Sequence, residues 1–184
     1  MSDKVTAVHE LDELLQENSA EHQVRVEKMH KLRALGIDPW PNKVPLTAQC
    51  RNVRDEFDET VEKHYAIAGR LMSIRLHGQT AFAHIQDSTG KLQVYLRSDV
   101  LGEDQFKIFE ELIDVGDIIW VEGNSFKTKL GEITLKVIRF QLLSKCLYPL
   151  PEKFHGLQDI ETKYRQRYLD LMTNDESRAR FIMR

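Results

Sequence analysis

With 184 residues, 41% of them hydrophobic and 30% charged, the chain has the make-up of a globular protein with one ordinary core plus appendages, or two small units. A formal net charge of -3 excludes a histone-like polybasic binder, although a local basic surface fits inside an acidic total. Cys50 and Cys146 form no CxxC pair or Cys/His array, which argues against a zinc site or disulfide framework and for reduced thiols in a cytosol, and no long apolar run argues for a membrane span.

From Val5 to Leu35 a polar sequence carries apolar residues at helical spacing: Leu11, Leu14 and Leu15, then Val24, Met29, Leu32 and Leu35. This predicts two helices, with Asn18 and Glu21 as a capping pair that restarts the second and Gly36 as its stop. Arg25, Lys28, Lys31 and Arg33 on the second helix form either a solvated face or a phosphate-contacting surface.

Between Tyr65 and Leu143 the texture changes to short β-rich runs: YAIAGRLMSIRL, TAFAHIQD, KLQVYL, DIIWVEGNSFKT and EITLKVIRFQLL. The third and fourth are separated by EDQFKIFEELID, whose Phe106, Phe109, Leu112 and Ile113 make one helical stripe. Three strands, a helix and two more strands, with Gly69 where the first strand could bend, predict the five-stranded Greek-key barrel called the OB-fold.

If Asp87 to Gly90 turns the chain, Gln86 faces Lys91 and the second and third strands pair inward from there. Alternation then gives a core face of Ala81, Ala83, Ile85, Leu92, Val94 and Leu96. The opposite face carries Phe82, His84 and Gln86 with Lys91, Gln93 and Tyr95, so that Phe82 faces Tyr95 and lies diagonal to Gln93. A ring beside an amide suits an unpaired base, because every base has a π-face and only its edge carries identity. The alternative is a ring packed under a neighbouring loop.

The loops that flank an OB-fold groove are here LHGQ, after Arg75, and KTKLGE, with Lys127, Lys129 and Glu132. The lysines suit phosphates as point charges. Glu132 either accepts a hydrogen bond from a base edge or is a carboxylate beside a turn. His84 reads as a plain surface residue, although it shares the ligand face.

After Cys146, LYPLPEKFHG ends strand and core, because Pro149 and Pro151 enforce an extended path. The predicted organisation is a helical extension and linker over 1–60, the barrel over 61–147, and a linker with helices over 148–184. In the last part DIETKYRQRYLDLMTN reads as a helix capped by Asp159, with Tyr164, Tyr168, Leu171 and Met172 on one stripe. A further helix, DESRARFIMR, runs to the last residue, as expected of a piece of a longer protein.

No GxxxxGK[ST], GxGxxG, HExxH or GxSxG motif is present, and no catalytic constellation is legible. Three stretches, however, carry a family likeness. HQVRVEKMHKLRALGIDPWPNK, AGRLMSIRLHGQTAFAHIQDSTGKLQVYL and PLPEKFHGLQDIETKYRQRYLDLMTN resemble the N-terminal part of bacterial-type class II lysyl-tRNA synthetases, over nearly the whole chain.

The resemblance implies an α+β, mainly β architecture: an N-terminal helix, an OB-fold anticodon-binding barrel, then a linker and helices leading into a class II synthetase domain. It implies that an anticodon uridine stacks on Phe82 and is read by Gln93, with Glu132 assisting and Arg75 among the basic residues nearby. Where such families often have a basic pair, this chain has Ile74 then Arg75. The implied partner is the anticodon stem-loop of the lysine tRNA, in the cytoplasm and with no membrane involved. No cofactor is implied for this stretch; ATP and magnesium belong to the catalytic domain of a homodimeric parent. The helix with Tyr164, Arg165, Arg167 and Tyr168 lies near the dimer interface of relatives, and this chain is expected to dimerise weakly or not at all.

Two rivals remain open at this point. A free-standing OB module that binds single strands is equally consistent with the barrel. Aspartyl and asparaginyl synthetases also pair a phenylalanine with a glutamine, and HGLQD, YRQRYLDL and the long N-terminal helix separate them from the lysyl family.

Overall fold

Arg25, Met29 and Leu32 follow one another at spacings of four and three, and these three form the buried stripe of the first helix, α1 (residues 20–34). A computed structural model of the protein describes residues 20–41, 43–150, 160–165 and 167–183. The first of the two predicted helices, Asn18 and Asp159 lie outside them. Val24 and Leu35, expected on the apolar stripe, are exposed. The helix stops where Gly36 predicts, with Gly36 N–H donating to the Arg33 carbonyl and Ile37 N–H to the Leu32 carbonyl, each at 3.0 Å.

The predicted basic face of α1 is corrected by this burial. Arg25 donates to the carbonyls of Val115 and Cys146, both at 3.0 Å, and pairs with Glu21. Lys28 pairs with Asp114 at 2.6 Å. Both side chains bond to the loop before the fourth strand, and Arg25 also to the segment after the fifth, instead of facing solvent, because hydrogen bonds offset the cost of burying a cation; Arg25 Nε is left buried without a partner. Lys31 and Arg33 remain exposed.

Helix α2 (Cys50–Asp55), which the sequence reading missed, is held by a reciprocal capping box between Gln49 and Asn52. It sends Cys50 and Val53 into the barrel core, where the thiol packs as a small hydrophobic group. Burial, with the nearby Asp87 carboxylate adding to it, pushes the Cys50 thiol up to about 12, so it stays protonated at neutral pH.

The strands are β1 (His64–His77), β2 (Thr80–Gln86), β3 (Lys91–Arg97), β4 (Ile118–Lys127) and β5 (Ile133–Ser144), closed into a barrel in the order β1-β2-β3-β5-β4. All neighbours are antiparallel except β3 and β5, which are parallel. This is the predicted OB-fold. The fourteen residues of β1 serve two partners: its first half pairs with β4 and its second with β2, and Arg70 is opposite both Gln86 and Ile118. Gly69 sits just before that handover, where a Cβ would stand 3.0 Å from the Gln86 carbonyl oxygen, so the close backbone approach favours glycine. The register shift itself falls between Leu71 and Ser73.

Between β3 and β4 run a short helix α3 (Ser98–Leu101) and the predicted helix α4 (Glu103–Leu112). Phe106, Phe109 and Leu112 close the core, with Phe109 edge-on to Phe140 at 5.5 Å. At that end Lys145 is fully buried and reaches Asp114 at 2.6 Å, Asp117 at 2.8 Å and the Leu112 carbonyl at 2.8 Å.

The chain divides into two compact units, Met1–Tyr148 and Pro149–Arg184. The second holds α5 (Ile160–Arg165), α6 (Arg167–Thr173) and α7 (Asp175–Ile182), where one longer helix and a second short one were expected. Asn174 caps α7 by accepting the N–H groups of Glu176 and Ser177. Tyr164 and Tyr168, predicted on an apolar stripe, are 70% and 59% exposed, and Arg167 instead lies over the rings of Tyr164 and Phe181. Among the described residues no helix is long and apolar enough to cross a membrane.

Candidate nucleic-acid interface

The β2–β3 register is the predicted one: Phe82 opposite Tyr95, His84 opposite Gln93 and Gln86 opposite Lys91. Ala81, Ala83, Ile85, Leu92, Val94 and Leu96 are accordingly buried in the core. The turn is fixed by Asp87, whose carboxylate accepts N–H groups from Thr89 and Gly90 on one oxygen and from Cys50 on the other. Burial alone would raise the Asp87 pKa, but these bonds and the Thr89 hydroxyl outweigh it and hold the carboxyl below its usual range.

On the outer face two rungs cross the strands. The first runs Arg75, Phe82, Tyr95, Lys136, and the second Ser73, His84, Gln93, Thr134, Phe126. Phe82 stacks on Tyr95 with 4.5 Å between centroids, and Tyr95 meets Phe126 at 6.1 Å and 54°. Phe82 is half-buried, not sealed in the interior, and Arg75 beside it is exposed.

The second rung is polar and connected. Gln93 Nε2 donates to Glu132 Oε2 at 2.7 Å, and Thr134 donates its hydroxyl to Gln93 Oε1 at 2.8 Å. The other carboxylate oxygen of Glu132 is 3.2 Å from His84 Nε2, and His84 Nδ1 is 3.0 Å from the Ser73 hydroxyl. A carboxylate only accepts, so Glu132 dictates which end of the Gln93 amide faces it and puts a hydrogen on His84 Nε2. Gln93 is therefore not a freely swinging reader beside the ring: it is 8% exposed and locked at both ends. One amide hydrogen and one oxygen lone pair are left over. His84 is corrected from a plain surface residue to a member of this chain.

Glu132 is delivered by a tight loop between β4 and β5. Thr128 N–H donates to the Glu132 carbonyl at 2.9 Å, Gly131 N–H to the Thr128 carbonyl at 2.9 Å, and Glu132 N–H to the Thr128 hydroxyl at 3.1 Å. Gly131 supplies φ +89°, a conformation costly for any residue with a Cβ. Lys129 is exposed on this loop, whereas Lys127 pairs with Glu59 at 2.7 Å. A cleft of about 480 Å³ next to Phe126 is lined by Phe57, Ser125 and the carboxylates of Asp58, Glu59 and Glu62, which make it a poor seat for phosphate.

Ser73, Thr128 and Thr134 were missed by sequence reasoning. Thr134 could have been found only from the parallel pairing of β3 with β5, which no local pattern announces. Among the described residues no group of three or more His, Cys, Asp or Glu could hold a metal ion.

Comparison with known proteins agrees with this geometry. Residues 65–143 match the tRNA anticodon family, described as an OB-fold nucleic acid binding domain. The chain is 51% identical over 162 residues to a lysine–tRNA ligase of Carboxydothermus hydrogenoformans, covering 88% of this chain and 33% of that protein. It is 47% identical over 178 residues to one of Staphylococcus saprophyticus, covering 92% and 36%, and 49% identical over 170 residues to one of Staphylococcus aureus, covering 88% and 34%. The chain thus spans about a third of the length of these curated relatives, their N-terminal third.

Proposed function

We propose, from the premise that residues 65–143 are an OB-fold anticodon-binding domain matching the N-terminal region of lysine–tRNA ligases, that this chain reads the central anticodon base of the lysine tRNA. The observation that carries the reading is the locked Gln93 amide beside the Phe82–Tyr95 stack. A uracil presents a ring N–H between two carbonyls. The remaining amide hydrogen of Gln93 suits a carbonyl and its remaining oxygen lone pair suits the N–H. Cytosine in the same pose offers an acceptor and an amino group, opposing both. A mismatch against such a two-bond reader costs about 1 to 3 kcal/mol.

Phe82 and Tyr95 supply the π-platform, and Arg75 and Lys129 attract the backbone phosphates. Lys127 does so only in competition with Glu59. Activation of lysine, with the ATP and magnesium it uses, falls to the remaining two thirds of a homodimeric, cytoplasmic parent enzyme, and no step of that chemistry is assigned to residues of this chain.

The test is a fluorescence titration of the 184-residue chain, at fixed salt, with a lysine tRNA and with the same tRNA changed at its central anticodon base. Tighter binding of the first is expected; equal affinities overturn the reading.

A further inference from the structure

His84 has no polar atom left for a ligand. Nδ1 is engaged with Ser73 at 3.0 Å and Nε2 with Glu132 at 3.2 Å, and its side chain is 23% exposed. A histidine used for reading an edge or binding a phosphate would leave a ring nitrogen free. Here both nitrogens point into the protein's own network, so any contribution to recognition passes through Glu132.

What Glu132 needs is a fixed orientation. Its side chain is 49% exposed, at the end of a loop, and a carboxylate in that position held by Gln93 alone could rotate about its last bonds and swing into solvent. Thr134 does not prevent this, because its hydroxyl faces the Glu132 carbonyl at 3.2 Å as well as Gln93 Oε1 at 2.8 Å. A hydroxyl has one hydrogen. If Glu132 leaves, Thr134 can donate to the Glu132 carbonyl, and a reversed Gln93 amide can donate to Thr134. That amide then shows the complementary pattern, the one that accepts cytosine's amino group.

We infer that His84, backed by Ser73, is a positioning residue that pins the Glu132 carboxylate against Gln93 and so sets which base the Gln93 amide accepts, without touching the base itself. The inference rests on the reading of this face as the anticodon site. It separates two properties that share one surface: affinity through the aromatic stack and the cations, and discrimination through the Ser73–His84–Glu132–Gln93 chain.

The experiment compares the full 184-residue chain with His84→Ala and His84→Gln, each titrated with a lysine tRNA and with its central-base variant. His84→Ala is expected to lose about tenfold in discrimination, the size of one hydrogen bond to a charged group. The loss should combine tighter binding of the variant tRNA with weaker binding of the cognate one. His84→Gln, whose amide can still donate to Glu132, should recover much of the ratio. Discrimination by His84→Ala equal to that of the unaltered chain overturns the inference while leaving the anticodon reading intact. Absence of discrimination in the unaltered chain overturns both. Should His84→Ala unfold, the side-chain amide protons of Gln93 in an NMR spectrum of folded Ser73→Ala decide: unchanged, unequal signals overturn the inference, and loss of the carboxylate-shifted signal supports it.

Discussion

The ring of Phe82 lies on that of Tyr95, 4.5 Å between centroids and 24° from parallel, in a row where the cations Arg75 and Lys136 stand on either side of the two rings. A base laid on this pair gains π-contact at a surface already flanked by positive charge. Phe82→Ala is expected to weaken binding of the lysine tRNA by about 1 to 3 kcal/mol. Phe82→Trp should retain most of it. Because the ring is half-buried, thermal unfolding is to be measured alongside. Unchanged affinity in a folded Phe82→Ala assigns the ring to sheet packing alone.

The two loop lysines should differ in their salt dependence. Lys129 is exposed, whereas Lys127 sits 2.7 Å from the Glu59 carboxylate and must give up that partner to meet a phosphate. Lys129→Ala is expected to reduce the slope of log affinity against log salt by about 0.7 to 0.9, the effect of one phosphate contact. Lys127→Ala should reduce it by less, and Glu59→Gln should strengthen binding at low salt. A full unit lost with Lys127 and none with Lys129 contradicts the assignment.

Period-two alternation was sufficient to place Phe82, Gln93 and six core residues correctly, because a strand with one buried face tolerates no one-residue slip. The helix between β3 and β4 was equally legible from Phe106, Phe109 and Leu112. Two kinds of feature were not. Arg25 and Lys28 read as surface charge because their acceptors, the Val115 carbonyl and Asp114, lie about ninety residues away in sequence. His84 read as inert because Glu132 and Gln93 meet it only through barrel closure and the β4–β5 loop. Local pattern reports which face a residue is on; it does not report which distant polar atom completes it.

Acid should loosen the β2–β3 turn. The hydrogen bonds to Asp87 hold its folded pKa below the unfolded value, so its contribution to stability is present above the ordinary carboxylate range and is lost as pH falls through the lower, folded value. Asp114, which burial would raise but Lys145 and Lys28 lower, acts in the same direction. Asp87→Asn keeps an oxygen for Thr89 but puts an amide where Cys50 N–H donates, and should cost about 1 to 3 kcal/mol at neutral pH. Its stability should also fall less steeply on acidification than that of the unaltered chain. Urea unfolding at several pH values measures both, and parallel acid profiles for the two proteins exclude Asp87 as a contributor.

Lys145 and Lys28 offer a paired test of burial. Both meet Asp114, but the Lys145 side chain is 0% exposed and also faces the 0% exposed Asp117, whereas that of Lys28 is 23% exposed. Burial already holds the Asp117 carboxyl above the usual carboxylate range, and Lys145→Met removes its cation, leaving only the N–H groups of Asp114 and Cys146 for company. Removing one member of a buried pair costs about 3 to 5 kcal/mol, a large part of the roughly 5 to 15 kcal/mol that keeps a domain folded. Lys28→Met leaves Asp114 with Lys145, and should cost about 1 kcal/mol or less. Adding Asp117→Asn to Lys145→Met removes the stranded carboxyl group and should restore part of the loss. Equal costs for the two lysine variants in urea titrations refute the claim that burial, rather than pairing as such, makes this cluster matter to the barrel end where β5 leaves and α1 packs.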